Sequence, residues 1–115
     1  MRKFDYLLLL LIVFASAIVR NEAISNDWSP IKNFNDSHVK EIANFAVTEY
    51  DRKSDANLKL ESVIDGYTQE KVDGISYRLA LIATNDSFFN IYSTEVWEKA
   101  NSEYKKLISF LLVPE

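Results

Sequence analysis

The side chains that could do chemistry in this chain are few, and they do not form a catalytic or metal-binding set. His38 is the single histidine and there is no cysteine, so the sequence offers no pair of nucleophile and base and no thiolate metal site. Glu41, Glu49 and Asp51 lie on the polar side of a predicted helix, where a solvated surface is expected, and we expect His38 to lie on the surface as well. These residues therefore predict neither a metal site nor a nucleophile–base pair, and no cofactor is expected.

Composition favours a single folded domain. The chain has 115 residues, of which 48% are hydrophobic and 13% aromatic, which is enough for one hydrophobic core. Its formal net charge of −4 comes without any basic cluster, and this argues against nucleic acid as a partner. Because cysteine is absent, core burial alone must hold the domain together.

The first residues have the composition of a secretory signal peptide. Arg2 and Lys3 are basic, residues 7–14 are all apolar, and residues 15–17 form a small-residue cleavage site. We expect cleavage there, with cleavage after Ala23 as the second choice. The mature protein is then expected to be extracellular or vacuolar and not membrane-bound.

This cleavage divides the chain into a signal peptide at 1–17, a flexible segment at 18–27 and one domain at 28–115. Two triplets in the domain have the pattern of N-glycosylation acceptors, and they begin at Asn35 and Asn85. Both asparagines are therefore candidate glycosylation sites.

One amphipathic helix is predicted over residues 38–53. Its apolar residues recur at a spacing that places them on one side of a helix, and they are Val39, Ile42, Ala43, Ala46 and Tyr50. Asp36 or Ser37 can cap its start. The apolar stripe requires a surface on which to pack.

The remainder of the domain is predicted to be that surface. Four strands joined by short turns are expected near residues 58–67, 75–83, 88–99 and 104–113, and residues 28–31 form a further short extended segment. Gly74 is expected to end the first hairpin turn, over residues 69–74, with a positive φ. The pattern predicts an α+β fold with one helix on a curved sheet of four to five antiparallel strands.

Four segments resemble the plant cystatins, a family of small inhibitors of papain-like cysteine proteases. In chain order they are Trp28-Ser29-Pro30-Ile31, Ile42-Ala43-Asn44-Phe45-Ala46-Val47-Thr48-Glu49-Tyr50, Gln69-Glu70-Lys71-Val72-Asp73-Gly74 and Val96-Trp97-Glu98-Lys99. The last two are similar to the segments that form or precede the inhibitory hairpin loops of the family. The resemblance covers nearly the whole domain and implies a cystatin-like fold without catalytic activity.

The resemblance also implies a binding mode. In the family, the N-terminal segment and two hairpin loops form an apolar wedge that fills the protease cleft reversibly. Carried onto this sequence, the protease-binding residues are Asn26, Asp27, Glu70, Lys71, Val72, Asp73, Gly74, Ala100 and Asn101. The partner would be a papain-like cysteine protease.

Several of these positions depart from the family pattern. Asn26 and Asp27 stand where glycines are expected, and Ala100-Asn101 where the family has Pro-Trp. Counting back from Gly74 places Glu70 where a glutamine is expected, whereas counting forward from Leu60 finds Gln69 there, with one extra residue in the loop. A buried tryptophan anchor is often worth about 2 kcal/mol, which is roughly 30-fold in affinity. We therefore expect weak inhibition, or a target with a differently charged cleft, and tighter binding when Pro-Trp is restored.

Two other classes of function fit the same fold. The chain could be a non-inhibitory binding or structural module whose wedge has diverged. It could also be a small-ligand pocket protein, although the predicted strands lack clustered polar groups. A monomer is expected, with a dimer that exchanges the first hairpin left open.

Overall fold

The computed structural model describes residues 27–86 and 88–114, so the predicted signal peptide, Asn26 and the residues between them lie outside the described part. The elements are β1 (Ser29–Pro30), helix α1 (Ser37–Ser54), β2 (Lys59–Lys71), β3 (Gly74–Asn85), β4 (Phe88–Lys99) and β5 (Lys105–Leu112). The strands form one antiparallel sheet in the order β1-β2-β3-β4-β5, and α1 packs across one face. The predicted α+β cystatin-like fold is confirmed, with β1 as the fifth strand.

The predicted apolar stripe is the surface that α1 buries against the sheet. Ile42, Ala43 and Ala46 are fully buried, and the two alanines let the helix backbone approach the strands closely. Tyr50 is half-buried at the end of the stripe, and its ring stacks on that of Phe110 with 4.2 Å between the centroids. Burial of an apolar helix face of this kind is the main source of helix stability in a folded domain.

Both ends of α1 are capped. Asp36 is the N-cap, and its Oδ2 accepts a hydrogen bond from the backbone N–H of His38 at 3.0 Å. At the other end Asp55 adopts the left-handed conformation, with φ of 60°. Its N–H donates to the backbone oxygen of Asp51 at 2.8 Å. The helix extends one residue beyond the predicted range at each end.

The centre of the core comes from β3 and β4. On β3, Tyr77, Leu79 and Leu81 alternate with residues that face away from α1, and all three are buried. Thr94 on β4 is fully buried among them, which its polarity does not suggest. Its hydroxyl donates a 2.7 Å hydrogen bond to a backbone oxygen of β5, so the polar group is satisfied inside the core.

The second strand is longer and less regular than predicted. It continues to Lys71, so that residues 69–71 pair with β3 instead of forming a turn. Two register shifts interrupt the pairing, with Glu61 and Ile64 as the extra residues on β2. Residues 69–71 are polar, but they still pair with β3 because the backbone hydrogen bonds of a sheet do not depend on side-chain polarity.

Candidate functional site

The first hairpin loop, loop 1, comprises residues 70–74 between β2 and β3. Lys71 pairs with Gly74, and Val72 and Asp73 form the two-residue turn between them. Val72 is 89% exposed, so its apolar side chain projects into solvent at the tip. An exposed valine flanked by charged residues costs solvation free energy in the free protein and is available to a partner.

Gly74 is required for a reason other than the one predicted. Its φ is not positive, so the expectation that it supplies a left-handed turn residue is wrong. Gly74 is buried and pairs with Lys99 of β4. A Cβ at this position would overlap the backbone oxygen of Glu98 and lie 2.9 Å from Nε1 of Trp97. Glycine is therefore needed so that loop 1 can lie directly against β4.

The second hairpin loop, loop 2, comprises residues 99–104 between β4 and β5. The Lys99 N–H donates to the Tyr104 oxygen at 3.0 Å, which closes the loop. Asn101 adopts a left-handed conformation with φ of 55°, a conformation that asparagine tolerates better than most residues. The Tyr104 N–H also donates to the Ser102 hydroxyl at 3.0 Å, so polar contacts fix the loop backbone.

The two loops contact each other directly. The Ala100 N–H donates to the backbone oxygen of Asp73 at 2.9 Å, which joins loop 2 to loop 1. The contact follows from the topology, because alternate turns of a meander fall at the same end of the sheet. Loops 1 and 2 therefore project side by side, as the resemblance implies.

The leading segment is directed to the same end. Ser29 pairs with Thr68 and Pro30 with Tyr67, in antiparallel register with β2. The chain that precedes Ser29 consequently points toward loop 1, and Asp27 is exposed there. Asn26 lies outside the described residues. The structure thus brings eight of the nine predicted contact residues to one end of the sheet, and their role in binding stays a prediction.

A groove of about 450 Å³ is lined by residues of both loops. The predicted residues on its walls are Glu70, Lys71, Val72, Gly74, Ala100 and Asn101. Five further lining residues were not predicted, and they are His38, Ile75, Glu98, Lys99 and Ser102. The pairing of Ile75 with Glu98 and of Gly74 with Lys99 could have indicated three of them. Ser102 directly follows the predicted Asn101, whereas no sequence signal brings His38 here.

A charged network lies beneath this groove. His38 Nε2 lies 2.8 Å from Glu98 Oε1, so a protonated ring nitrogen donates to this carboxylate, and the Tyr77 hydroxyl donates to the same oxygen at 3.3 Å. Lys105 Nζ lies 3.1 Å from Glu41 Oε2 and 4.0 Å from Glu98 Oε2. The network connects the start of α1 with the end of β4 and the start of β5. His38 is thus a half-exposed structural contact instead of a purely solvated residue.

Proton affinities in the network follow from these contacts. The hydrogen bond to Glu98 raises the pKa of His38 above its ordinary value of 6.5, against an opposing effect of burial. The hydrogen bond from Lys105 lowers the pKa of Glu41. Burial, with the nearby Glu98 carboxylate, raises the pKa of Tyr77 to about 12. The tyrosine therefore stays protonated at physiological pH and serves as a hydrogen-bond donor.

The two candidate glycosylation sites lie outside loops 1 and 2. Asn35 is exposed directly before the N-cap, and Asn85 is half-exposed at the end of β3 opposite to loop 1. Their modification stays a prediction. Across residues 27–86 and 88–114, no group of three or more His, Cys, Asp or Glu side chains could hold a metal ion. In the same ranges, no helix is both long and apolar enough to cross a bilayer.

Comparisons with known proteins agree with this architecture. A family model described as SQAPI, aspartic acid proteinase inhibitor, matches residues 31–113. The chain is 41% identical over 102 residues to Cysteine proteinase inhibitor 5 of Arabidopsis thaliana, covering 88% of this chain and 80% of that protein. It is 37% identical over 91 residues to Cysteine proteinase inhibitor 1 of Actinidia chinensis var. chinensis, covering 79% and 78% of the two chains.

A solved structure extends the likeness to three dimensions. The solution structure of the squash aspartic acid proteinase inhibitor superimposes with a TM-score of 0.59 at 30% identity, covering 82% of this chain and 98% of that one. Together with the helix-on-sheet fold and the paired loops, these matches show that the chain belongs to the plant cystatin family of proteinase inhibitors, in which the SQAPI group also falls, and that it is not an enzyme.

Proposed function

We propose that this chain is a reversible inhibitor of papain-like cysteine endopeptidases that inserts its leading segment and both loops into the active-site cleft. The observation that carries the proposal is the hydrogen bond from the Ala100 N–H to the Asp73 oxygen, at 2.9 Å. It joins two separate hairpins into one projecting end, which is the shape a cleft accepts. The names of the relatives from Arabidopsis and Actinidia support the choice of target.

The construction of the wedge favours binding with little loss of entropy. Loop 1 has a two-residue turn closed by a strand pair, and loop 2 is closed by a backbone hydrogen bond from Lys99 to Tyr104. Loops held in this way by a sheet change little on docking, so less conformational freedom is lost when the complex forms. Rigidity of this kind allows blockage of a cleft without cleavage of the inhibitor.

Val72 is the main apolar contact that the wedge offers. It is the most exposed large hydrophobic residue at this end of the sheet, and charged side chains from Glu70, Lys71 and Asp73 surround it. Burying a valine side chain stabilises a complex by roughly 1.5–3 kcal/mol. The surrounding charges lose solvation in the complex unless the protease supplies partners, so the net affinity depends on the charge of the cleft.

Titration of papain tests the proposal directly. We expect the chain without residues 1–17, which contains every described element, to inhibit papain competitively and reversibly. Val72→Asp should raise the inhibition constant roughly ten-fold or more. The matched control is Leu111→Asp, which alters a 63% exposed apolar residue on β5 away from the groove and should leave inhibition unchanged. Equal effects of the two substitutions would rule out loop 1 as a contact.

Inhibition of aspartic proteinases is a second candidate function. It is favoured by the family model over residues 31–113 and by the squash inhibitor structure. The same protein and the same two variants can be titrated against pepsin at acidic pH. Inhibition of pepsin without inhibition of papain would replace the first proposal, and failure to inhibit either enzyme would favour the non-inhibitory binding module.

The secretory route is part of the proposal. The basic start, the apolar run at residues 7–14 and the small residues at 15–17 support cleavage of a signal peptide. Expression in a eukaryotic host with the N-terminus of the secreted product sequenced would test this. A product that stays in the cytosol and retains Met1 would contradict it. The mass of the same product would show whether Asn35 or Asn85 carries a glycan.

A further inference from the structure

The leading segment is anchored on the helix side of the sheet by Ile31. The Ile31 N–H donates to the Gly66 oxygen at 2.9 Å, and its side chain packs against the core. A Cβ at Gly66 would lie 2.9 Å from Cδ1 of Ile31, so the glycine leaves the space that this side chain fills. This contact fixes the end of the segment that is nearer to α1.

A second contact holds the start of the segment on the opposite face. Cζ of Arg78 lies 4.1 Å from the centroid of a Trp28 ring, which is the geometry of a cation–π stack. Arg78 lies between the buried Tyr77 and Leu79 on β3, so its side chain faces away from α1. The segment is therefore held from both faces of the sheet.

Glu95 holds the arginine in place. Arg78 and Glu95 are direct partners across β3 and β4, and an Arg78 side-chain nitrogen donates to Oε1 of Glu95 at 3.4 Å. The guanidinium group is thus restrained on one side by a carboxylate while its central carbon lies over the indole. Arginine suits this task because its planar group can stack and form an ion pair at the same time.

Backbone pairing with β2 contributes little to holding the start of the leading segment. The strand β1 consists of Ser29 and Pro30 only, and proline has no N–H to donate. Beyond Ser29 the chain leaves the sheet toward loop 1. The stack of Trp28 on Arg78 holds the chain at the point where the pairing of β1 with β2 ends.

We propose that Arg78 is a positioning residue for the wedge: stacked on Trp28 and restrained by Glu95, it fixes the leading segment against β2 and so sets where the residues before Ser29 meet the protease. The inference deepens the proposed function and rests on it. Arg78 itself lies on the outer sheet face, outside the groove between loops 1 and 2, so its effect on inhibition is transmitted through Trp28.

The size of the effect follows from the fraction of molecules whose segment is docked. When only this fraction binds with full affinity, the apparent inhibition constant rises in inverse proportion to it. Loss of a partly exposed stack is expected to lower the docked fraction enough to weaken inhibition of papain roughly 3- to 10-fold. Arg78→Lys should recover only part of this, because an ammonium group cannot stack as a plane.

A double-mutant cycle tests the mechanism. Arg78→Ala and Trp28→Ala should each weaken inhibition of papain, and the double variant should be no weaker than the worse single variant. The matched control is Arg52→Ala, which removes an exposed arginine ion-paired to Glu49 on α1 and should have no effect. Losses that multiply in the double variant would overturn the coupling between Arg78 and Trp28.

A second readout needs no protease. Backbone ¹⁵N relaxation should give rigid order parameters for residues 28–31 in the parent, and lower values, below roughly 0.6 at Trp28, in Arg78→Ala. An ordered segment in Arg78→Ala would refute the proposal whether or not the chain inhibits papain. A mobile segment with unchanged inhibition would also refute it. If the parent does not inhibit papain but loses order at Trp28 on substitution, the proposed function fails while Arg78 is still shown to fix the segment.

Discussion

Substitution of Gly74 by alanine separates two explanations for this glycine that predict opposite signs. If the residue served conformational freedom alone, alanine would stabilise the protein by about 0.4–1 kcal/mol, because the φ of Gly74 is not positive and alanine restricts the unfolded chain. The structure indicates a steric reason instead. A Cβ at Gly74 would overlap the backbone oxygen of Glu98, which no change of rotamer can relieve.

The overlap must be relieved by moving loop 1 away from β4. Forced expansion of a tightly packed contact costs about 1–3 kcal/mol. The hydrogen bond from Ala100 to Asp73 adjoins this contact, and its loss adds about 1 kcal/mol. We therefore expect Gly74→Ala to lower the free energy of unfolding by about 2–4 kcal/mol, with a fall in Tm of roughly 10 °C or more for a domain of this size.

Urea denaturation followed by circular dichroism measures the change. Gly66→Ala is the matched control, since its Cβ would lie close to the far ends of two side chains, Leu79 and Ile31 at 2.8 and 2.9 Å, and meet backbone only at an ordinary 3.6 Å, at the Arg78 oxygen. The ends of these side chains can shift where a backbone oxygen cannot, so the control should lose about 1 kcal/mol, at the low end of the cost of overpacking. A Gly74→Ala variant as stable as the parent, or less affected than Gly66→Ala, would refute the steric reasoning.

Two further predictions concern the network and loop 2. The pKa of His38 is raised in the folded state, so its contribution to stability is fully present below about pH 6.5 and is lost as the pH rises through the folded value. Urea unfolding measured as the pH rises above 6.5 should show a steeper loss of stability for the parent than for His38→Gln. An NMR titration of the single histidine with a midpoint at or below pH 6.5 would contradict the raised pKa. The combined change Ala100→Pro and Asn101→Trp, expected from the resemblance to tighten binding, should also destabilise the protein by about 2–3 kcal/mol. Proline cannot donate to Asp73, and tryptophan is strained at a φ of 55°. Asn101→Gly suits that φ and serves as the control in the same unfolding assay, and a graft as stable as the parent would show that loop 2 adapts.

The elements with a local signal were predicted well from the sequence. The stripe from Val39 to Tyr50 and the capping Asp36 indicated the helix, since spacing and a short polar side chain decide such features within a few residues. The convergence of the two loops followed from the resemblance and is also what a meander requires. The exact extent of β2 was not predicted, because its polar end pairs through the backbone and carries no apolar alternation.

Contacts between distant parts of the chain were not predictable. His38 and Glu98 are 60 residues apart, and nothing near either one indicates that they meet. The role of Gly74 depends on the register between β3 and β4, and the stack of Trp28 on Arg78 depends on where a short segment docks. Each is decided by tertiary packing, which pattern and propensity do not encode.

The short length of β1 has a consequence for self-association. Residues 59–65, most of β2, have no pairing with β1. Within residues 27–86 and 88–114 this leaves an open sheet border of the kind that templates fibrils. This border carries exposed charges at Lys59, Glu61 and Asp65, and the extra residues Glu61 and Ile64 kink it. An incoming extended peptide would have to desolvate these charges and follow a bent row of amides, so the irregularities of β2 also protect the free protein against polymerising.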